Sequence, residues 1–329
     1  MIQSSKAARR WRLSAKATAT AAAVVATAAL VAACGGGTSQ FEPFIAERVF
    51  AFGDDSSALR SDGRRYGVNG LDATTSAFDC RLEPLWVQGI AAYYGFVFAE
   101  CNVATAPALP AVPKAFMFAA VGAKVADVAA QVEAQVAAGG LRDKDLALVL
   151  AGANDVLALY AQYPAVPEAA LIAEAGLRGE RMAAVVNRLV SLGAKVIVSN
   201  LPDMGMSPFA RAEALANASS GFDRAALISR LTTAFNERLG VKVLLDGRFV
   251  GLVQMDLRTQ SAARSPASFG FIDVSTAACT VALPDCTSAT LVTGATSANY
   301  LWADSTRLSS GGQGALFSLA VERAQRNPF

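Results

Sequence analysis

The chain has 329 residues, 53% of them hydrophobic and 17% charged, with a formal net charge of +2 and no histidine. That length and apolar content suffice for one large buried core, and the near-neutral charge leaves neither a nucleic-acid footprint nor an acidic tail. Without His, no imidazole can act as general base at any position, and tetrahedral zinc ligation by Cys and His is closed.

Residues 1–33 are set apart from the fold. Lys6, Arg9, Arg10, Arg12 and Lys16 form a basic start, and the stretch from Ala17 to Ala33 carries no charge. Val31-Ala32-Ala33-Cys34 resembles the bacterial lipoprotein cleavage box, which implies a mature chain beginning at Cys34 with lipid on that residue. Gly35, where an inner-membrane lipoprotein would carry Asp, resembles proteins sorted to the outer membrane. An uncleaved transmembrane anchor is the alternative, although the apolar run is Ala-rich and short for a span. Residues 34–44 then read as a tether, small and polar from Gly35 to Gln40, and residues 45–329 as one domain.

Val49 to Phe52 is a short apolar run of buried-strand type, broken by Gly53 and followed by Asp54 and Asp55. Ser56 or Ser57 is placed to cap a helix starting at Ala58, so that free backbone N–H groups face the acidic turn. The next predicted elements are a helix over Leu85–Tyr94, a second strand over Phe96–Ala99 and a Pro-rich loop over Ala106–Pro113. Phe116 to Val121 approaches Gly122. Val125, Val128, Val132 and Val136 then repeat at helical spacing until Gly139-Gly140.

Asp145 to Ala151 is a continuous apolar run of parallel-strand type that delivers Gly152, Asn154 and Asp155. A long helix with Met182, Val185, Val186 and Leu189 on one face precedes a strand at Lys195–Ser199. A helix over Phe222–Leu239, stopped by Gly240, precedes a strand at Val241–Leu245. Strands alternating with amphipathic helices predict a three-layer α/β fold with a doubly wound parallel sheet. Between Ser261 and Asn299 the pattern lapses into a surface loop, and Ser309–Ala324 closes the chain as a helix.

With Cys34 assigned to lipid, the five cysteines leave an even set, which points to an oxidising compartment. Of the three pairings that four cysteines allow, the local one, Cys80 with Cys101 and Cys279 with Cys286, is the most economical. A zinc site lacks any Cys-x-x-Cys pair as well as His.

Four blocks carry a family likeness. Gly53-Asp54-Asp55, Gly152 to Asp155 (GAND), Asn200 to Pro208 (NLPDMGMSP) and Ala303 to Arg307 (ADSTR) resemble, in order, the motifs of the SGNH (GDSL-type) ester hydrolases. The resemblance implies a flavodoxin-like architecture. It also implies an oxyanion hole made from the backbone N–H groups of residues 55 and 122 and the side-chain amide of Asn154. Asp55 stands where that family has its nucleophilic Ser and Arg307 where it has its catalytic His, while Asp304 keeps the orienting position.

A guanidinium stays protonated and cannot take a proton from a nucleophile. The two departures are therefore expected to pair, with the Asp55 carboxylate also accepting from the former oxyanion donors and Arg307 reaching Asp304 as well. The plain alternative has both side chains in solvent. Ser56 or Ser57 as a substitute nucleophile would be turned away from the donors. Asp55 as a nucleophile would need Asp54 or Asp304 as its base. A divalent metal at Asp54, Asp55 and Asp304 would meet the charge of Arg307, so neither metal nor cofactor is assigned. The expectation is an outer-membrane lipoprotein, held to the membrane by its N-terminal lipid, that has lost Ser–His ester hydrolysis. It would serve as a binding or assembly component for a small ester-like, lipid or glycan ligand, with no nucleic acid involved. The alternatives are a carboxylic ester hydrolase with a non-standard site and a purely structural lipoprotein.

Overall fold

A computed structural model describes residues 44–101 and 113–326. The leader, Cys34, almost all of the tether and nearly all of the Pro-rich loop lie outside the described residues. Five parallel strands form the central sheet: β1 (Arg48–Gly53), β2 (Ala115–Met117), β3 (Asp145–Leu150), β4 (Lys195–Ser199) and β5 (Val250–Val253), in the order β2-β1-β3-β4-β5. Strand order reverses between β1 and β3, which is where a doubly wound sheet opens a crevice at its carboxyl ends.

The strands are apolar throughout because both faces are covered. Val49, Phe50, Ala51 and Phe52 are all buried, and Phe50 stacks on Phe116 of β2 with ring centroids 5.0 Å apart. The covering helices are α1 (Trp86–Tyr93), α2 (Val125–Ala138), α3 (Ala153–Tyr160), α4 (Glu168–Ser191), α5 (Pro208–Ala216), α6 (Arg224–Lys242), α7 (Met255–Arg264) and α8 (Ser310–Arg326). None of the described helices is long and apolar enough to cross a membrane.

Five expectations are corrected. No helix starts at Ala58: the backbone N–H groups of Ser57 and Ala58 both return to the Asp54 carbonyl, and the single turn ends there. Ser57 is drawn inward instead, its Oγ accepting from the Trp86 indole at 3.0 Å. Phe96–Ala99 is not a strand; Phe98 makes one isolated bridge to Ala115, and the strand position beside β1 goes to Ala115–Met117.

Gly240 does not stop α6, which runs on to Lys242. The fifth strand is Val250–Val253 rather than Val241–Leu245, because the four-residue VGLV run matches β4 in register. Val241, Leu244 and Leu245 are left exposed. Finally, the segment from Ser261 to Asn299 is not all loop. It contains the end of α7 and a strand, β6 (Asp273–Ala277), that pairs in parallel with β7 (Tyr300–Trp302) as a separate two-stranded ribbon.

Both local disulfides are present, Cys80–Cys101 and Cys279–Cys286. Asn69 ties the Cys279–Cys286 loop to the turn at Arg65, whose guanidinium in turn donates to the Cys80 carbonyl at 2.6 Å. Its backbone N–H donates to the Cys286 carbonyl at 2.9 Å, its Nδ2 to the Pro284 carbonyl at 2.8 Å, and its Oδ1 accepts from Arg65 N at 3.1 Å. Asn69→Ala would strand several buried backbone groups, so it is expected to lower stability by about 2 kcal/mol in urea unfolding. A change below about 0.5 kcal/mol, the ordinary surface scatter, would show that the loop and the turn do not depend on it.

Candidate functional site

Gly53 ends β1 with φ +150°, and a Cβ there would come within 2.1 Å of the Leu150 carbonyl oxygen. Only glycine allows β1 and β3 to approach that closely at the switch point. Gln131 of α2 clamps the same residue from both sides, accepting from Gly53 N–H at 2.8 Å and donating to its carbonyl at 3.0 Å. Nothing in the sequence pattern singles out Gln131 for this, since it sits among residues of an ordinary helical face. The clamp fixes where Asp54 and Asp55 emerge.

Asp55 is buried, and both its carboxylate oxygens are saturated. Oδ2 accepts from the Gly122 backbone N–H and from Asn154 Nδ2, each at 2.9 Å; Oδ1 accepts from Arg307 Nε at 3.0 Å and Nη2 at 2.8 Å. Burial alone would raise this carboxyl's pKa. The Asn154 amide, the Gly122 N–H and the Arg307 charge overcome it and hold the group below the usual carboxylate range. The Asp55 backbone N–H, expected as a third donor to an oxyanion, makes no hydrogen bond among the described residues.

Arg307 bridges two acids rather than choosing between them. Its Nη1 donates to Asp304 Oδ2 at 2.8 Å, and its backbone N–H to Asp304 Oδ1 at 2.7 Å. Burial works against this guanidinium's charge, but Asp55 and Asp304 together keep its pKa above the ordinary value. The Tyr66 ring lies beneath it, 5.5 Å from the guanidinium carbon.

The remaining motif residues hold this arrangement in place. Asp155 Oδ2 accepts from Val125 N–H at 2.9 Å and Oδ1 from Arg178 at 3.2 Å, which locks the Gly122 turn and the start of α2 against α3. Asn200 Oδ1 accepts from Met255 N–H at 2.7 Å and so caps α7. Ser207 caps α5, and the next residue but one, Phe209, donates its N–H to the Ser305 carbonyl at 2.9 Å. In this way the fourth strand positions the loop that carries Asp304 and Arg307.

Asp54, directly beside Asp55, is almost fully buried, with Ser56 N–H donating to its Oδ1 at 3.0 Å. Burial, added to by the negative charge of Asp55, pushes its carboxyl up to about 7. The cleft left between Asp54, Asp55, Ser56, Asn154, Leu157 and Arg307 is about 20 Å³. That is room for about one water molecule.

The family model described as GDSL-like Lipase/Acylhydrolase matches residues 49–304. The chain belongs to this family. Solved structures similar to it include the lipase Lip_vut3 from a goat rumen metagenome, with 14% sequence identity over 86% of this chain and 99% of that one at a TM-score of 0.47. A member of the lipolytic G-D-S-L family from Veillonella parvula DSM 2008 has 10% identity over 84% of this chain and 96% of that one at a TM-score of 0.41. The acetyl xylan esterase AlAXEase has 12% identity, covering 84% and 98%, at a TM-score of 0.42. Among curated proteins none matches.

For a GDSL-family chain the chemistry of this cleft is unusual. Acyl transfer by this kind of site needs a hydroxyl nucleophile, a base to take its proton and empty donors for the developing oxyanion. Here the donors at Gly122 and Asn154 are spent on a carboxylate, and the cation that holds the carboxylate cannot accept a proton.

Proposed function

We propose that this GDSL-family protein does not hydrolyse esters by the Ser–His route and acts instead as a ligand-binding or assembly component, anchored at the outer membrane through lipid on Cys34. One observation carries the loss of chemistry: the Asp55 carboxylate occupies both the Gly122 and Asn154 donors and is itself gripped by Arg307. Asp55 Oδ2 brings to these donors the negative charge that a substrate oxyanion would otherwise bring. The chain thereby fills its own hole. Removal of the nucleophile or the base from a serine triad lowers kcat about a millionfold, and here both positions have changed. The anchor rests on the cleavage-box resemblance and the even number of remaining cysteines.

The test is hydrolysis of short and medium p-nitrophenyl esters by the protein and by the double variant Asp55→Ser with Arg307→His. The expected result is no turnover by the unaltered chain and measurable turnover by the double variant. Turnover by the unaltered chain that disappears in Asp55→Ala would overturn the reading. It would favour the second reading, a carboxylic ester hydrolase with a non-standard site, for which the family match itself and the position of Ser56 in the cleft speak.

A further inference from the structure

The residues that refused to become the fifth strand define a surface. All five strands of the sheet are parallel, so their N-terminal ends lie together at the end opposite the cleft. Ile45, just before β1, is 74% exposed, and Val241, Leu244 and Leu245, just before β5, are 75%, 66% and 54% exposed. Three of these four large apolar side chains lie together where α6 ends, and Ile45 stands at the same end of the sheet. Other strongly exposed ones, Leu215 and Ile272, belong to separate elements.

The Leu244 position is also fixed rather than loose. Asn187 of α4 accepts from the Leu244 N–H at 2.9 Å and donates to the Lys242 carbonyl at 3.0 Å, so the two leucines are presented from a pinned turn. Around them the strand starts carry an excess of basic side chains. Arg48 pairs with Asp145, Lys144 with Glu47 and Arg248 with Asp246, which leaves Lys114, Arg142 and Lys195 against the single acid Asp143. An apolar patch rimmed by positive charge suits an anionic lipid surface better than it suits water.

The chain enters the domain at this same end, at Phe44 and Ile45. From Cys34 to Phe44 a fully extended chain reaches roughly 35 Å. A domain of this size is about 50 Å across. A tether shorter than the body it holds keeps the entry end toward the bilayer.

We propose that the N-terminal end of the sheet, centred on Ile45, Val241, Leu244 and Leu245, docks on the phospholipid surface and holds the Asp55–Arg307 cleft facing away from it. The docking rests on the lipid-anchor reading of Cys34. Apolar side chains enter the headgroup layer, basic ones meet anionic headgroups, and the cleft is displayed to the aqueous compartment at a fixed height.

Tryptophan quenching tests this on the mature, lipid-bearing chain in vesicles of phosphatidylethanolamine and phosphatidylglycerol whose acyl chains are brominated. The native Trp86 and Trp302 are fully buried, so they report little. A Leu244→Trp variant is expected to lose at least half of its added emission against unbrominated vesicles, and a Leu215→Trp variant, on the helix that starts beside the cleft, almost none. Equal quenching of both, or none at Leu244→Trp in chains that float with the vesicles, would overturn the docking and leave the anchor standing. Chains that do not float would remove the anchor and the docking together. Leu244→Trp emission that shifts with protein concentration in detergent, without bromine quenching, would assign the surface to a second copy and overturn the lipid assignment.

Discussion

Arg307→Ala is expected to lower stability by about 3 kcal/mol at neutral pH, and adding Asp55→Ala to it is expected to restore part of that loss. The sign follows from burial. The Asp55 side chain is 6% exposed and that of Arg307 28%, so the acid is the member less able to turn to water when its partner goes. Arg307, left alone by Asp55→Ala, still has Asp304. Breaking a buried pair from one side leaves an uncompensated charge, whereas removing both sides leaves only a small cavity and two donors that water can reach. Urea unfolding of the wild type, both single variants and the double variant measures the coupling. Losses that simply add would mean that the two groups stabilise the fold independently. Because the folded pKa of Asp55 is depressed, its contribution is present above the ordinary carboxylate pKa and is lost as the pH falls below it.

Asp54→Asn should act in the opposite direction and on a different pH range. The folded pKa of Asp54 is raised to about 7 from 3.8, so between those values the folded chain holds a proton that the unfolded chain has released. Stability from this group is therefore greatest near pH 4 and declines as the pH rises to about 7. Asparagine keeps an acceptor for the Ser56 N–H and never ionises. Its advantage over the wild type is expected to grow by on the order of 3 kcal/mol between pH 5 and pH 8. Denaturant midpoints at four pH values would show it. A constant offset across the range would mean that Asp54 is not the group responsible.

Much of this molecule can be read from its residues, and the parts that cannot share a physical cause. Strands buried on both faces announce themselves as unbroken apolar runs, as Asp145 to Leu150 does, and helices beside them by their stripe of valines. The order of the motif blocks, with the donor that the resemblance adds at Gly122, points Asp55, Gly122, Asn154 and Arg307 to one place, and there they meet. What failed was local competition. Val241 to Leu245 has strand composition, yet α6 reaches across Gly240 because nothing there breaks it, and the shorter VGLV run wins the sheet by register. Ser56 and Ser57 look like caps, but the indole of Trp86 claims one hydroxyl and the turn closes on Asp54. The raised carboxyl of Asp54 and the Gln131 clamp on Gly53 depend wholly on contacts between distant segments, which no window of sequence contains.

The Asp55–Arg307 contact joins positions 252 residues apart. A chain made from its N-terminus has β1, β2 and β3 available around Asp55 well before position 307 is added. Until then the acid has only two neutral donors, and the crevice at the switch point is open to water and to any stray cation. Arrival of Arg307 completes the site: a chain cut short before position 307 keeps an unpaired carboxylate beside the switch point of the sheet.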